Sequence, residues 1–244
     1  MQLDSNHLTA LEQIRLGIET SKQLMVFQTE YHGGPVQTEY ILTTDAARSL
    51  AEIFSTDVAV ECPYKDLVNL LNAQQVKKSV FRGTRADITV KDSLNPPIAV
   101  IEFKIRVRRF ADIQGDISKI SRLLTAFKPQ ICDRTLGIVA FQVHVPAREN
   151  WITEDRVLAK AKAVESNLKA ALGTYAAQHP GFMFDWHEFQ GADEGAVGRQ
   201  LDGHPDDPDA AWGKKGHATR YHAVLIQRIR SVPATQPSPF KKPI

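Results

Sequence analysis

The chain has 244 residues, 43% of them hydrophobic and 24% charged, with a formal net charge of +2, which is the composition of an ordinary soluble globular protein with one sizeable core. This small net charge neither demands nor excludes a nucleic-acid partner, because recognition depends on where the basic residues cluster. No segment approaches the ~20 apolar residues of a membrane-spanning helix and the N-terminus lacks the layout of a signal peptide, so we expect a cytoplasmic protein without membrane contact.

The N-terminal segment, residues 1–36, is expected to extend a core domain that follows it. Apolar residues over 8–19 recur with helical spacing, which predicts a helix. Two apolar stretches, 24–31 and 36–42, flank the turn-forming residues at 32–35, and this pattern predicts a hairpin.

The core domain is predicted over residues 37–146. A short amphipathic helix is expected from Thr44, followed by a strand over 58–62 and a second short helix over 65–72. A basic, polar stretch at 74–78 then separates these elements from the best-defined part of the sequence.

Two β-branched, apolar stretches, 85–90 and 98–107, enclose a turn segment and predict a hairpin. Residues 111–127 have the spacing of an amphipathic helix, and 136–145 have the pattern of another strand. The order helix, strand, strand, strand, helix, strand indicates an α/β core in which helices flank a mixed central sheet.

Residues 147–230 are expected to form a C-terminal extension. A long helix is predicted over 153–178, and its apolar stripe most simply packs on its own domain, with a homodimer interface as the alternative. The Gly-, Asp- and Pro-rich segment 191–220 predicts a mobile loop before a final strand at 221–229. A proline-rich tail, 231–244, is expected to be disordered.

Three ionisable residues are predicted to converge on the hairpin. Residues two apart in a strand share a face, so Glu102 and Lys104 point the same way. A symmetric hairpin centred between Leu94 and Asn95 places Asp87 opposite Glu102, and directly paired residues also share a face, with Cβ atoms roughly 5 Å apart. Two carboxylates and one ammonium group therefore lie together.

The apolar residues around this trio indicate that it is buried. Ile98 to Ile101, Phe103 and Ile105 are typical of a central strand covered on both faces. Two buried carboxylates repel each other unless a cation lies between them, and oxygen ligands favour Mg²⁺ or Mn²⁺ over zinc. The alternative is that Glu102 and Lys104 are ordinary solvent-facing residues of an antiparallel strand.

The segments RADITV (85–90) and AVIEFK (99–104) resemble the PD-(D/E)XK nuclease superfamily, with Ala86 in the place of the family's proline. The resemblance covers about residues 40–146 and implies a restriction endonuclease-like core. It implies that Asp87 and Glu102 bind the metal, with the Phe103 carbonyl as an extra ligand, and that Lys104 orients or activates the attacking water. The implied reaction is hydrolysis of a phosphodiester.

The resemblance also implies further site residues. Family members often add a glutamate from the first core helix, for which Glu39 is the first candidate and Glu52 and Glu61 are alternatives; Glu39 can instead belong to a preceding strand. Helices equivalent to 111–127 contact phosphates or the attacking water in relatives, and its polar residues are either such contacts or a solvated face. Those residues are Gln114, Lys119 and Arg122.

The densest basic segment directly follows the catalytic strand, and its residues are expected to bind the nucleic-acid backbone non-specifically. They are Arg106, Arg108 and Arg109.

The sequence therefore predicts a Mg²⁺-dependent endonuclease that acts on DNA, with a restriction or anti-phage defence role by analogy; such effectors can require an activating partner protein or ligand. One alternative is a nucleic-acid-binding or scaffold module of the same fold that does not cleave. The retention of Asp87, Glu102 and Lys104 disfavours it. Another alternative is a nuclease for RNA or for branched repair intermediates.

Overall fold

A computed structural model describes residues 3–32, 38–54, 57–70, 83–92, 95–127, 131, 134–146, 154–190, 193–194, 198–202, 211–215 and 217–229. Its helices are α1 (Ser5–His32), α2 (Thr38–Phe54), α3 (Tyr64–Leu70), α4 (Ala111–Ala126) and α5 (Glu154–Gln178). Its strands are β1 (Val58–Pro63), β2 (Arg85–Asp92), β3 (Asn95–Lys104), β4 (Leu136–Pro146), β5 (Phe182–Glu188), β6 (Asp193–Glu194), β7 (Gly198–Asp202), β8 (Ala211–Lys215) and β9 (His217–Arg228).

The main sheet is mixed, with the strand order β1-β2-β3-β4-β9-β5 and with β6 also paired to β9. Strands β3 and β4 are parallel and are joined by the crossover that contains α4, whereas the other pairs in this sheet are antiparallel. Strands β7 and β8 form a separate hairpin. The predicted α/β class is confirmed.

The β2–β3 hairpin has the predicted register. Ile88 pairs with Ile101 and Thr89 with Val100, so the residue numbers mirror each other about the expected centre. The ladder becomes irregular only near the turn, after Val90. Strand β3 lies between β2 and β4 and is buried from Ala99 to Phe103, which confirms that it is a central strand covered on both faces.

Helices cover both faces of the sheet. One core cluster joins α1 and α2 to the sheet, and the predicted N-terminal extension therefore packs on the predicted core. The second cluster joins α3, α4 and α5 to the opposite face, and strand β9 from the predicted C-terminal extension contributes to both clusters. The chain thus has three layers, helix on sheet on helix.

The position of α4 on the sheet follows from local sequence. Gly137 of β4 has no side chain where Ile120 of α4 packs, and a Cβ there would overlap the Ile120 side chain. At the start of the helix, Asp112 Oδ2 accepts hydrogen bonds from the backbone N–H groups of Arg108 and Arg109, at 3.0 and 2.9 Å. These contacts satisfy donors that precede the helix and fix where its polar flank lies relative to β3.

The predicted N-terminal hairpin is wrong. Both stretches assigned to its strands lie mainly in helices, since α1 runs to His32 and α2 begins at Thr38; the predicted turn falls mostly outside the described residues. Leu42, Ala46 and Leu50 are buried at a spacing of four, which is a helical period. Tyr40 is 72% exposed although it lies two residues before buried Leu42, which excludes a strand with both on one face.

Strand β3 is shifted by three residues from its predicted range, since it begins at Asn95 and ends at Lys104 rather than at Val107. Arg106 has a φ of 55°, in the left-handed region, which turns the chain out of the strand. The N–H of Val107 then donates to the carbonyl of Gln142 at 2.8 Å, and this bond anchors the loop to β4.

Two predictions in the C-terminal part are also corrected. The segment 191–220 was expected to be a loop, but it contains β6, the β7–β8 hairpin and the start of β9. The sequence analysis missed β5, although Phe182, Phe184 and Trp186 alternate with more polar residues, which is the pattern of a strand.

The remaining elements of the core and the long helix agree with prediction to within a few residues. The basic stretch 74–78 and the tail 231–244 lie outside the described residues. Within the described part of the chain, none of the helices combines the length and the apolar character needed to cross a bilayer.

Candidate active site

Glu102 is the most buried charged residue of the predicted trio, with 4% of its surface exposed. Its side chain lies on the face covered by α3 and α4. The Tyr64 hydroxyl donates a hydrogen bond to Oε1 at 2.8 Å, and Lys119 Nζ lies 2.9 Å from the same oxygen. A buried carboxylate is therefore held by one hydroxyl and one ammonium group.

Asp87 lies where the β2–β3 ladder opens. The regular register ends with the pair Ile88–Ile101, one residue short of Asp87 and Glu102, so the predicted direct pairing of these two residues lies beyond the ladder. Their carboxyls are nevertheless close enough for Asp87 to raise the pKa of Glu102. Asp87 Oδ2 accepts the N–H of Phe103 at 2.7 Å, so the side chain takes the place of a backbone partner. Because the N–H and C=O groups of one strand residue project to the same side, the Phe103 carbonyl is expected on the β2 side of β3 as well.

Lys104 lies at the end of β3 between two helices. Its Nζ is 3.6 Å from Oε1 of Glu39 on α2 and 3.9 Å from Oδ2 of Asp116 on α4. Asp116 is also 3.3 Å from Lys119 Nζ, so it connects the two lysines. We call the whole set the charged cluster: Glu39, Asp87, Glu102, Lys104, Asp116 and Lys119.

Burial shifts the pKa values of both acids from the hairpin. It raises the pKa of Glu102 to about 7, with a further contribution from neighbouring Asp87, and these effects outweigh the opposing influence of Lys119 and Tyr64. Burial also raises the pKa of Asp87, although the hydrogen bond from Phe103 opposes the shift. Ionising both carboxylates therefore requires positive charge close to them.

The groups that contact Glu102 are shifted as well. Burial, together with the charge of Glu102, raises the pKa of the Tyr64 hydroxyl, so Tyr64 stays protonated and remains a donor. Burial alone would lower the pKa of Lys119, but Glu102 and Asp116 raise it above its ordinary value. Lys119 is thus a charged partner of Glu102, and its ammonium group also lies 5.7 Å from the centre of the Tyr64 ring.

A divalent cation is compatible with this donor set. Over the described residues, no group of three or more His, Cys, Asp and Glu side chains is arranged to hold a metal ion. Mg²⁺ retains several waters and binds through one or two carboxylates, so Asp87, Glu102 and the Phe103 carbonyl suffice as protein ligands. The hydrogen bond from Phe103 uses Oδ2 of Asp87, and the contacts with Tyr64 and Lys119 use Oε1 of Glu102. Oδ1 of Asp87 and Oε2 of Glu102 take no part in these contacts.

Of the three glutamates considered as additional site residues, the structure brings Glu39 to the cluster. It lies in the first turn of α2, which resolves the earlier choice between helix and strand. Glu52 and Glu61 are exposed, on α2 and β1 respectively. Glu39 reaches the site through Lys104.

The three polar residues predicted on α4 are placed differently from one another. Lys119 is in the cluster, in contact with Glu102. Gln114 is exposed and lies one turn before Ser118, whose hydroxyl is hydrogen-bonded to Tyr175 of α5 at 3.0 Å. Gln114 therefore lies on the α5 flank of the helix, away from Lys119. Arg122 is exposed, and its Nε donates to the Ser118 carbonyl at 3.3 Å.

The basic segment after β3 forms an exposed loop, which we call the arginine loop: Arg106, Arg108 and Arg109. It connects the strand that carries Lys104 to the helix that carries Lys119. The Asp112 carboxylate accepts hydrogen bonds from two backbone N–H groups of the loop and lies 3.5 Å from the guanidinium of Arg109. The loop therefore presents positive charge next to the charged cluster.

Sequence analysis missed two residues of the site, Tyr64 and Asp116. Asp116 had a detectable signal, because it lies three residues before Lys119 and thus on the same flank of an otherwise apolar helix face. Tyr64 had none, since its contact with Glu102 depends on how α3 packs beneath the sheet.

Comparison with protein-family models, curated proteins and solved structures gives no match. The function is therefore inferred from the geometry of the site and from the sequence motif.

Proposed function

We propose that this protein is a Mg²⁺-dependent nuclease of the PD-(D/E)XK type. The observation that carries the proposal is the pair of carboxyls, half-buried Asp87 and buried Glu102, at the open end of the β2–β3 ladder with Lys104 beside them. Buried acids of like charge are unfavourable unless they hold a cation or share a proton. Such a pair next to lysines suits phosphodiester hydrolysis.

Each residue has a role in this proposal. Asp87, Glu102 and the Phe103 carbonyl would hold Mg²⁺ or Mn²⁺, which supplies Lewis acidity at the scissile phosphate. Lys104 orients the attacking water and adds positive charge where negative charge develops on the phosphate. Glu39, 3.6 Å from Lys104, positions that ammonium group. Tyr64 fixes the Glu102 carboxylate through its hydrogen bond.

The finer fold belongs to the same proposal. Elements α2, β1, β2, β3, α4 and β4 would form a restriction endonuclease-like core, with α1 and the segment from α5 onwards as extensions. The parallel β3–β4 pair with α4 as its crossover and the acidic pair on the preceding hairpin support this assignment.

DNA is the proposed substrate. The arginine loop would bind backbone phosphates, and this contribution would weaken as salt increases. Arg122 and Gln114 are exposed on α4 and stay candidates for phosphate contacts. A restriction or anti-phage role and an activating partner or ligand are part of the proposal by analogy. A homodimer was the alternative for the apolar stripe of the long helix, whose Val157, Ala161 and Leu168 are buried in the core of the chain.

A second candidate function is a nucleic-acid-binding module of the same fold that does not cleave. The contact that favours it is the ion pair between Lys119 and Glu102, because a lysine already neutralises the predicted metal ligand.

The test is an assay with supercoiled plasmid, linear duplex, single-stranded DNA and RNA, each with Mg²⁺, Mn²⁺ or EDTA. Wild type is compared with Lys104→Ala and with Lys162→Ala, an exposed lysine on α5 that serves as the matched control. We expect metal-dependent cleavage that Lys104→Ala abolishes and the control retains. Cleavage retained by Lys104→Ala would overturn the site assignment, and binding without cleavage by wild type would favour the second candidate.

A further inference from the structure

Lys119 contacts Glu102, one of the two carboxylates that the proposed function names as metal ligands. Its Nζ lies 2.9 Å from Glu102 Oε1 and 3.3 Å from Asp116 Oδ1. Its side chain is 21% exposed, so the ammonium group is largely withdrawn from water, and Glu102 beneath it is buried. A strongly hydrated group is held there only if its charge is needed.

We propose that Lys119 is an internal cation that neutralises Glu102 in the metal-free protein, competes with the divalent cation for it, and withdraws to Asp116 when metal binds. This inference rests on the proposed function, because it requires Glu102 to be a metal ligand. It assigns to Lys119 a regulatory role: the lysine sets the metal concentration at which the site fills.

Electrostatics supplies the reason for competition. A buried carboxylate that loses the cation in contact with it is strongly unfavourable, so Glu102 needs Lys119 or a metal ion next to it. Both cannot approach the same carboxylate closely, because a divalent cation and an ammonium group about 4 Å apart repel each other strongly where water is largely excluded. Filling the metal site therefore requires Lys119 to leave Glu102.

Asp116 supplies the alternative partner for the displaced lysine. It lies on the same flank of α4 as Lys119, and it is only 15% exposed. Because the lysine stem is flexible and Asp116 is already within 3.3 Å, the ammonium group exchanges one carboxylate for another without entering bulk water. Removal of Asp116 should therefore make the exchange less favourable and weaken metal binding.

The experiment measures Mn²⁺ binding to the full chain without nucleic acid, from the electron paramagnetic resonance signal of free Mn²⁺, at about pH 8, above the pKa of Glu102. Lys119→Met keeps the stem and removes the charge, and we expect it to tighten Mn²⁺ binding at least about tenfold, the loss of a charged hydrogen bond. Lys119→Arg retains the charge and should stay close to wild type. Lys162→Met, on the exposed face of α5, controls for loss of one positive charge.

Asp116→Asn tests whether Asp116 accepts the displaced lysine. This substitution does not remove a cation from Glu102. It should weaken Mn²⁺ binding at least about threefold in the wild-type background and have no effect in the Lys119→Met background, which is a coupling between neighbours. Equal weakening in both backgrounds would make Asp116 a metal ligand and overturn its role as acceptor. Far-UV circular dichroism confirms that each variant is folded, and if Lys119→Met is not, Lys119→Gln takes its place in both measurements.

The possible outcomes separate this inference from the proposed function. Mn²⁺ binding that Glu102→Gln abolishes but that Lys119→Met leaves unchanged would overturn the competition and leave the metal site intact. Absence of Mn²⁺ binding in both wild type and Lys119→Met would overturn the competition together with the metal site. Tighter binding in Lys119→Met that Glu102→Gln removes again would support both.

Discussion

Glu102→Gln should change the pH dependence of stability, because the native state raises the pKa of this carboxyl from 4.5 to about 7. A carboxyl with a raised pKa disfavours the folded state when it ionises. Its contribution is neutral below the unfolded pKa, and stability is lost as the pH rises from 4.5 towards 7 and beyond. The shift corresponds to about 3 kcal/mol in total, of which about 2 kcal/mol or more falls between pH 5 and pH 8.

Glutamine is nearly isosteric with glutamate, retains an acceptor for Tyr64 and Lys119, and cannot ionise. The free energy of unfolding of the variant, relative to wild type, should therefore increase by about 2 kcal/mol or more between pH 5 and pH 8. The measurement is urea unfolding at both pH values in EDTA, so that divalent cations do not contribute.

Glu52→Gln is the matched control, because it removes one exposed carboxyl from α2, and a surface change of this kind is expected to stay within about 0.5 kcal/mol at either pH. The opposite trend, with Glu102→Gln losing stability relative to wild type as the pH rises, would refute the reasoning. It would mean that the contacts of Glu102 with Lys119 and Tyr64 outweigh its burial.

Three further outcomes are expected. Gly137→Ala should destabilise the fold by about 2 kcal/mol, because the added methyl overlaps a side chain of α4. Gly173→Ala, at an exposed position of α5 where a Cβ meets nothing, should instead stabilise the fold by about 0.5–1 kcal/mol. Thermal or urea unfolding compares the two variants, and equal effects would contradict the close packing of α4. Asp112→Ala should lose about 1 kcal/mol, because the backbone N–H groups of Arg108 and Arg109 lose their acceptor, and an unchanged unfolding midpoint would show that these hydrogen bonds contribute little. Replacing all three residues of the arginine loop by glutamine should make the negative slope of log affinity for DNA against log salt shallower by about 3, as measured by fluorescence anisotropy. An unchanged slope would show that the loop does not contact DNA.

The hairpin that carries the site was predictable because its information is local. The turn residues and the alternating apolar positions define one register, and a slip by one residue would send buried Ile88 and Ile101 to the other face. The predicted proximity of Asp87 and Glu102 follows from that register. The sequence left Glu39 between the first core helix and a preceding strand, because that helix was expected from Thr44, whereas α2 begins at Thr38.

The errors arose where tertiary packing decides between two local patterns. Residues 36–42 contain β-branched and aromatic residues, yet Leu42 belongs to a buried row with Ala46 and Leu50 that packs against α1. The contact of Tyr64 with Glu102 is equally non-local, because it depends on the packing of α3 against the sheet. Propensity is a weak prior in both cases.

The most direct test of the proposed nuclease activity is the initial rate of plasmid cleavage as Mg²⁺ is increased, for wild type and for Asp87→Asn. Asp87→Asn keeps the shape of the side chain and an acceptor for the Phe103 N–H, but it removes one of the two proposed metal-binding charges. We predict cleavage by wild type that requires Mg²⁺ and stops in EDTA, with the variant slower by at least about a hundredfold, of the order that metal catalysis supplies. Equal rates for the two proteins, or cleavage that persists in EDTA, would contradict a metal-dependent site built on Asp87 and Glu102.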